Sequence, residues 1–134
     1  MRNKAIVITL VFAGILMLTI ITASVVPLNS QSIAARYVEK LGWKIDRNPI
    51  ETADVNIPAQ FDDVYNNYNS LQKDAGFNLE DYKGKTVTRY TFSIKNYYGE
   101  TGVRANVLMN NDKVIGGDIM TVAIDGFMVP LKSR

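Results

Sequence analysis

The sequence predicts an α+β domain: an antiparallel sheet of about four strands, covered on one face by one or two helices, and preceded by a single N-terminal transmembrane helix. Three observations carry this expectation. An uncharged apolar run occupies Ala5 to Val26. Two stretches with apolar residues at helical spacing follow, one ending at Gly42 and one at Gly76. Beyond Lys85 the residues alternate between apolar and polar, the period of strands with one buried face.

A chain of 134 residues has room for one ordinary domain and a short extra segment. Its 47% hydrophobic content is that of a folding chain, not a disordered one. It contains neither cysteine nor histidine. Thiol nucleophiles, disulfides, Cys/His zinc sites and Ser-His-Asp arrangements are therefore excluded, and no cofactor or metal is expected. The lack of cysteine fits an extracytoplasmic bacterial location, although many cytosolic chains share it. Of the 15 basic residues two, Arg2 and Lys4, precede the apolar run, so 13 remain against 13 acidic ones. The rest of the chain is formally neutral and has no basic patch, which argues against nucleic acid as a partner.

The segment AIVITLVFAGILMLTIITASVV, Ala5 to Val26, is the strongest signal. As a helix it would be roughly 33 Å long, against a hydrocarbon core of about 30 Å. Its hydroxyl side chains can bond back to helix carbonyls. Arg2 and Lys4 favour a cytoplasmic N-terminus. The competing reading is a secretory signal cut near Thr22-Ala23-Ser24, but the apolar run exceeds the usual signal core. Residues 1–28 are thus expected to form a cytoplasmic tip and anchor, uncleaved. Residues 29–134 would form the extracytoplasmic domain, held against the membrane through residues 5–26.

After Pro27, Asn29 or Ser32 can cap a second helix. Ile33, Tyr37, Val38 and Leu41 form its apolar stripe, and Gly42 ends it. Trp43 is placed to pack back onto Val38; a role as a membrane-interface anchor or ligand platform is the less favoured use. Trp43 to Asp46 and Ala53 to Ile57 read as short extended pieces, interrupted by Pro49 and Pro58. Pro58 suits the start of a third helix, with a stripe of Phe61, Val64, Tyr65, Tyr68 and Leu71 and a stop at Gly76.

Paired carboxylates invite an acid/base reading. Asp62 and Asp63, adjacent on a helix, point about 100° apart and better serve the helix's positive end. Glu80-Asp81 reads as a solvated turn. The run Asn66-Asn67-Tyr68-Asn69 weakens a helix. It suggests hydrogen bonding to some other group, with an exposed helical face as the simpler alternative.

Thr88, Tyr90, Phe92 and Ile94 alternate with Arg89, Thr91, Ser93 and Lys95, and VRANVLMN alternates again, with Val103, Ala105, Val107 and Met109 on one side. Asn110-Asn111-Asp112 reads as a tight connection. Lys113 to Ile124 reads as a long strand, Asp125-Gly126 as a two-residue hairpin turn, and Phe127 to Leu131 as an edge strand tolerant of Pro130.

Within the long strand stands Gly116-Gly117-Asp118. A phosphate loop would need a helix after the glycines, and a Gly-Lys-Ser/Thr; here DIMTVAI, of β type, follows. A cyclase-like Gly-Gly-Asp turn would continue Glu-Phe. The favoured reading is a bulge that bends the strand and re-phases it, turning Asp118 to the polar face opposite Arg104.

The segments YVEKLGW, IPAQFDDVYNNYNSLQKDAGFNLEDYKGKTVTRYTF, VRANVLMNNDKVIGGDI and DGFMVPL resemble domain of unknown function family 4830. These are small bacterial proteins that usually carry an N-terminal membrane segment. The resemblance spans about Ile33 to Leu131. It supports the domain boundaries and implies no catalytic residue.

The favoured function is a membrane-anchored, non-catalytic binding or regulatory module at the cell envelope, with another envelope protein or a peptide as partner. The proposed partner-binding residues lie on the polar sheet face: Arg89, Arg104, Asn106 and Asp118. The alternative is a carboxylate-dependent hydrolase of an envelope glycan or peptide, which requires two carboxyl groups about 5–10 Å apart. Asp118, Asp125, Glu80 and Asp81 are its candidates. A purely structural envelope component is a third reading, close to the first.

Overall fold

The computed structural model describes residues 29–134. The expected membrane span at residues 5–26 lies outside the described residues. Among those described, no helix is long and apolar enough to cross a membrane. The elements are helix α1 (Ser30–Lys40), strand β1 (Glu51–Asn56), helix α2 (Asp63–Asp74), a 3-10 turn (Leu79–Tyr82), and strands β2 (Thr86–Ser93), β3 (Val103–Asn110), β4 (Lys113–Thr121) and β5 (Met128–Pro130). The strands form one antiparallel sheet in the order β1-β2-β3-β4-β5.

The α+β architecture is as the sequence predicts, with two corrections. The sheet has five strands where about four were expected. The weakest to read is β1, where only Ala53 and Val55 are even half-buried. It is an edge strand, held by a six-residue ladder on β2 instead of by an apolar face. The segment from Trp43 to Asp46 makes one isolated bridge, Ile45 to Ile94, and no strand.

The second correction concerns the helices, which lie on opposite faces of the sheet. One core joins Ala34, Ala35 and Val38 of α1 to Phe92, Ala105, Val107, Met109 and Ile119. The other, on the alternate positions of the same strands, joins Val87, Leu108 and Ile115 to Ile57, Leu79 and the aromatic rings of Phe61, Tyr65 and Tyr68. The polar alternates of the sheet are therefore not a solvent face.

Helix α1 starts where Asn29 caps it, its side chain accepting from the Ser32 amide at 2.8 Å. Gly42 closes it at φ +96°, where a side chain would be strained. Its most buried residues are Ala34, Ala35 and Val38, while Ile33, Tyr37 and Leu41 pack at the margin. Two alanines at the contact let the helix axis come close to the sheet. Each large side chain buried there contributes about 1.5–3 kcal/mol. Trp43 belongs to this core, 6% exposed, with Nε1 donating to the Lys132 carbonyl at 3.1 Å and its ring stacked on Tyr97.

The β3–β4 turn places Asn111 at φ +53°, as its residue type suggests. The β4–β5 connection differs from expectation. Strand β4 ends at Thr121, and the Gly126 amide bonds the Ala123 carbonyl at 3.0 Å, so Ile124 and Asp125, not Asp125-Gly126, occupy the turn's centre. Ile124 at the tip is fully exposed.

Candidate functional site

The chemistry of the second face begins with one extra residue. Strand β4 pairs Val114 with Met109 but Gly116 with Leu108, so Ile115 is a bulge between them. Val114 packs with the α1 core. Simple alternation would send Asp118, four residues on, to that same apolar side. The bulge reverses the phase, and Asp118 emerges on the α2 side, opposite Asn106. The re-phasing is as expected, one residue earlier than the glycines. The partner is not: Arg104 faces Met120, not Asp118.

The two glycines have a separate task. A Cβ on Gly117 would sit 2.1 Å from the Asn106 carbonyl oxygen and 2.8 Å from Leu131. A Cβ on Gly116 would meet Gln72 Oε1 at 2.8 Å and Leu79 at 3.2 Å. Bare backbone at Gly116 lets α2 and the 3-10 turn lie against the sheet, while at Gly117 it leaves room for the β3 backbone and for Leu131 of the α1-side core. Gln72, fully buried, accepts from the Gly117 amide at 2.8 Å.

A row of polar side chains crosses the sheet here: Thr91 on β2, Asn106 on β3 and Asp118 on β4. Thr91 Oγ1 donates to Asn106 Oδ1 at 2.7 Å, and Asn106 Nδ2 donates to Asp118 Oδ1 at 2.9 Å. The other carboxylate oxygen accepts from Tyr68 Oη of α2 at 2.7 Å. All three sheet residues are under 9% exposed. Burial raises the Asp118 pKa above the ordinary carboxylate range, while its bonds to Asn106 and Tyr68 and the nearby Arg89 charge pull it back. Burial, and then the Asp118 charge, push the Tyr68 phenol far up, so it remains a donor.

Helix α2 is consequently seated by polar groups. Its buried residues are Asn69 and Gln72. Asn69 accepts from the Leu79 amide at 2.7 Å and donates to Asn78 at 3.0 Å, locking the 3-10 turn to the helix. Asp62 caps the helix through the Tyr65 amide, at 2.8 Å, the helix-end role its position suggests. The Gln72 Nε2 is buried and makes no hydrogen bond. Of the expected stripe, Val64 is 76% exposed and Leu71 half-buried. The asparagine run gave a partial warning: Asn69 is kept for hydrogen bonding, whereas Asn66 and Asn67 are exposed. The spacing of the sequence puts Tyr68 in an apolar stripe and gives Gln72 and Thr91 no part in this network.

All four candidate residues, Arg89, Arg104, Asn106 and Asp118, lie on this face. Asn106 and Asp118 touch; Arg89 forms an ion pair with Glu51, Nη2 to Oε1 at 2.7 Å, and its Nε is buried with no partner. Arg104 is half-buried beside Met120. A groove of about 260 Å³ opens over three of them, floored by Leu108, Asn106, Asp118 and Arg89, with Arg104 outside its lining, opposite Met120 in the sheet. Its walls are Tyr65 and Tyr68 of α2, Val55 of β1, and Met120 and Met128. An adjoining apolar trough of about 470 Å³ shares Tyr65, Tyr68 and Met128 and continues along Val64, Asn67 and Leu71.

The carboxylates considered for hydrolysis are distributed differently. Glu80 and Asp81 are exposed on the 3-10 turn, and Asp125 is exposed between β4 and β5. A cleft of about 280 Å³ beside Tyr82 and Lys113 holds Asp81 as its single acid, as the α2 groove holds Asp118. Among the described residues, no three acidic side chains gather as metal ligands.

The family model described as domain of unknown function (DUF4830) matches residues 37–119. That is more than half of the chain, so the chain belongs to this family. The match takes in Tyr68, Arg89, Asn106 and Asp118 and stops short of the DGFMVPL segment. No curated protein and no solved structure matches the chain.

Proposed function

We propose that this member of the family is a membrane-tethered, non-catalytic binding or regulatory module of the bacterial cell envelope. Residues 5–26 would anchor it with the N-terminus in the cytoplasm and the described domain outside. Its partner, an envelope protein or peptide, would be taken up in the groove between α2 and the sheet. The observation that carries this reading is the groove itself. It combines apolar walls with a few convergent polar groups, and runs into a trough whose Val64 and Met128 are 76% and 46% exposed. Arg89 and Arg104 would be the accessible charged contacts. Asn106 and Asp118 would hold the floor in shape. A hydrolase would draw on two converging carboxylates, and Asp118, bonded on both oxygens, is better suited to holding Tyr68 than to proton transfer.

A photoreactive side chain placed at Met128 of the full chain, in intact cells, tests the reading. We expect an adduct from that position, none from Ile50, and loss of the adduct in an Arg104→Glu background whose unfolding curve is unchanged. Equal adducts from both positions, or indifference to Arg104→Glu, reject this face. Protection of the domain from protease on cells stripped of their wall would reject the outside location.

A further inference from the structure

We infer that α1 lies along an anionic phospholipid surface, with Arg36 and Lys40 among the headgroup phosphates and the α2 groove turned away from the bilayer. This goes beyond the binding reading above and rests on its membrane tether. The outer side of α1 is a stripe of Ile33, Arg36, Tyr37 and Lys40, spaced so that all four share one helix face. They line a shallow hollow of about 230 Å³ that contains no acidic residue. Arg36 and Lys40 are exposed, and Ile33 and Tyr37 half-buried. The intervening Glu39 lies about 100° round the helix from Lys40 and is bonded to Arg47, Nε to Oε1 at 3.0 Å. Among the described residues, neither Arg36 nor Lys40 has an ion-pair partner. Free basic side chains beside half-buried apolar and aromatic ones suit a helix seated at a lipid interface.

The tether fixes which side meets the lipid. The chain outside the described residues ends at Asn29, the cap of α1. From Val26, the last residue of the expected span, to Asn29 the backbone reaches about 11 Å at most. The first turn of α1 is thus held at the headgroup layer. The helix is about 16 Å long. Upright, it would lift Lys40 well past the headgroups; along the surface, it sets both basic groups among them. The charges divide to match. On the α1 side Arg36, Lys40, Lys44, Arg47 and Lys132 stand against Glu39, Asp46 and Asp54. Asp54 lies on the edge strand β1, while α1 packs over β2, β3 and β4. Asp112 and Lys113 of the β3–β4 turn offset each other, as do Lys95 and Glu100 of the β2–β3 loop. Arg134 is engaged over the rings of Tyr97 and Tyr98, at 5.2 and 5.5 Å. On and around the α2 side, Glu51, Asp62, Asp63, Asp74, Glu80, Asp81 and Asp125 outnumber Lys73, Lys83, Lys85, Arg89 and Arg104, even with the buried Asp118 left aside. A domain that is neutral as a whole would present its basic side to an anionic surface and its acidic side away from it. Because the two helices cover opposite faces of the sheet, this seating leaves the groove open.

The test uses the full chain in nanodiscs, labelled with ¹³C at the isoleucine and methionine methyls, with a gadolinium chelate on a small share of the lipid headgroups. The lipid is phosphatidylcholine alone, or phosphatidylcholine mixed with phosphatidylglycerol. Ile33 reports on the α1 stripe and Met128 on the α2 side. In the mixed lipid the Ile33 methyl should broaden and the Met128 methyl should not. Arg36→Gln and Lys40→Gln should each lower the docked-to-free ratio read at Ile33 about fivefold. Phosphatidylcholine alone and added salt should lower it too. Broadening of Ile33 that ignores lipid charge and both variants would mean that the tether alone brings α1 near, and would overturn the inference. Stronger broadening at Met128 than at Ile33 would turn the α2 side to the lipid and overturn it together with the open groove. No broadening at either, in a chain that stays with the nanodiscs, would overturn the inference and leave the tether standing. A chain that does not co-purify with the nanodiscs would defeat the tether itself.

Discussion

The two faces of the sheet are built on opposite principles. The α1 face is closed mainly by alanine, valine, phenylalanine and methionine, and its buried polar groups at Trp43 and Thr121 bond backbone outside α1. The α2 face is closed by Tyr68 on Asp118, Gln72 on Gly117 and Asn69 on Leu79, set among apolar neighbours. Apolar contact is non-directional, and a helix seated by it can slide by fractions of an ångström at small cost. Hydrogen bonds of 2.7–2.8 Å with buried partners allow one seat, because a misplaced helix would leave several polar groups unsatisfied. The α1 face supplies adhesion, and the α2 face supplies position. It is the positioned face that carries the groove.

The sharpest way to break this contrast is at the glycine pair. Gly117→Ala directs a methyl group at a backbone oxygen 2.1 Å away, which no rotamer change relieves. We expect it to cost more than about 4 kcal/mol, read as loss of a cooperative urea transition. Gly116→Ala meets the end of the Gln72 side chain instead. Displacing it sacrifices the bond to Gly117, at about 1–3 kcal/mol. A Gly116→Ala variant as stable as the wild type would mean that the close approach of α2 is not what Gly116 serves.

Next in size is Tyr68→Phe, which keeps the ring and removes one donor. Asp118 Oδ2 then loses its partner in a buried setting, for about 1–3 kcal/mol by chemical denaturation. A loss near zero would show that α2 is held by its aromatic contacts alone, and the contrast between the faces would fail.

The pH dependence of stability refines the same point. Burial raises the Asp118 pKa in the folded state. The stability linked to this group is fully present below its unfolded value and is lost as pH rises through the folded value. Denaturation of the wild type and Asp118→Asn at about pH 4, 6 and 8 should therefore show the wild type losing ground as pH increases. Tyr68→Phe removes a bond that favours the charged form, so its decline should extend to higher pH. A wild type that gains on Asp118→Asn over this range would show that the carboxylate is stabilised as an anion.

The difference between the faces also explains what the sequence discloses. Phe92, Ile94, Val103, Ala105, Val107 and Met109 alternate with polar residues, and hydrophobic periodicity alone reveals that face. The α2 face escapes the same reading because its buried groups, Thr91, Asn106, Asp118, Asn69 and Gln72, are of residue types that usually face water. Only their pairing makes burial tolerable, and pairing between residues 50 positions apart has no local signature. The bulge was legible as an interruption, since Gly116-Gly117 breaks the alternation. Its centre at Ile115 was not, because a bulged isoleucine still looks like a strand residue. The four candidate residues share one face because alternation is local information. Which of them touch depends on register, and register here depends on that single inserted residue.

The smallest expected effect separates position from adhesion on α2 itself. Val64 is apolar and lies on the helix at the spacing of a core residue, yet it is 76% exposed. If hydrophobic burial seated α2, Val64→Ser would destabilise the domain by kilocalories. If the buried hydrogen bonds seat it, the same change should alter stability by no more than about 0.5 kcal/mol in either direction. The serine would still weaken any ligand lying in the trough, because Val64 forms part of its wall. The informative result is thus a pair of measurements on one variant: an unchanged urea midpoint together with a weaker photo-adduct from Met128 in intact cells. A changed midpoint would place Val64 in the fold. Unchanged stability with unchanged binding would remove the trough from the site and confine recognition to the groove above Arg89 and Asp118.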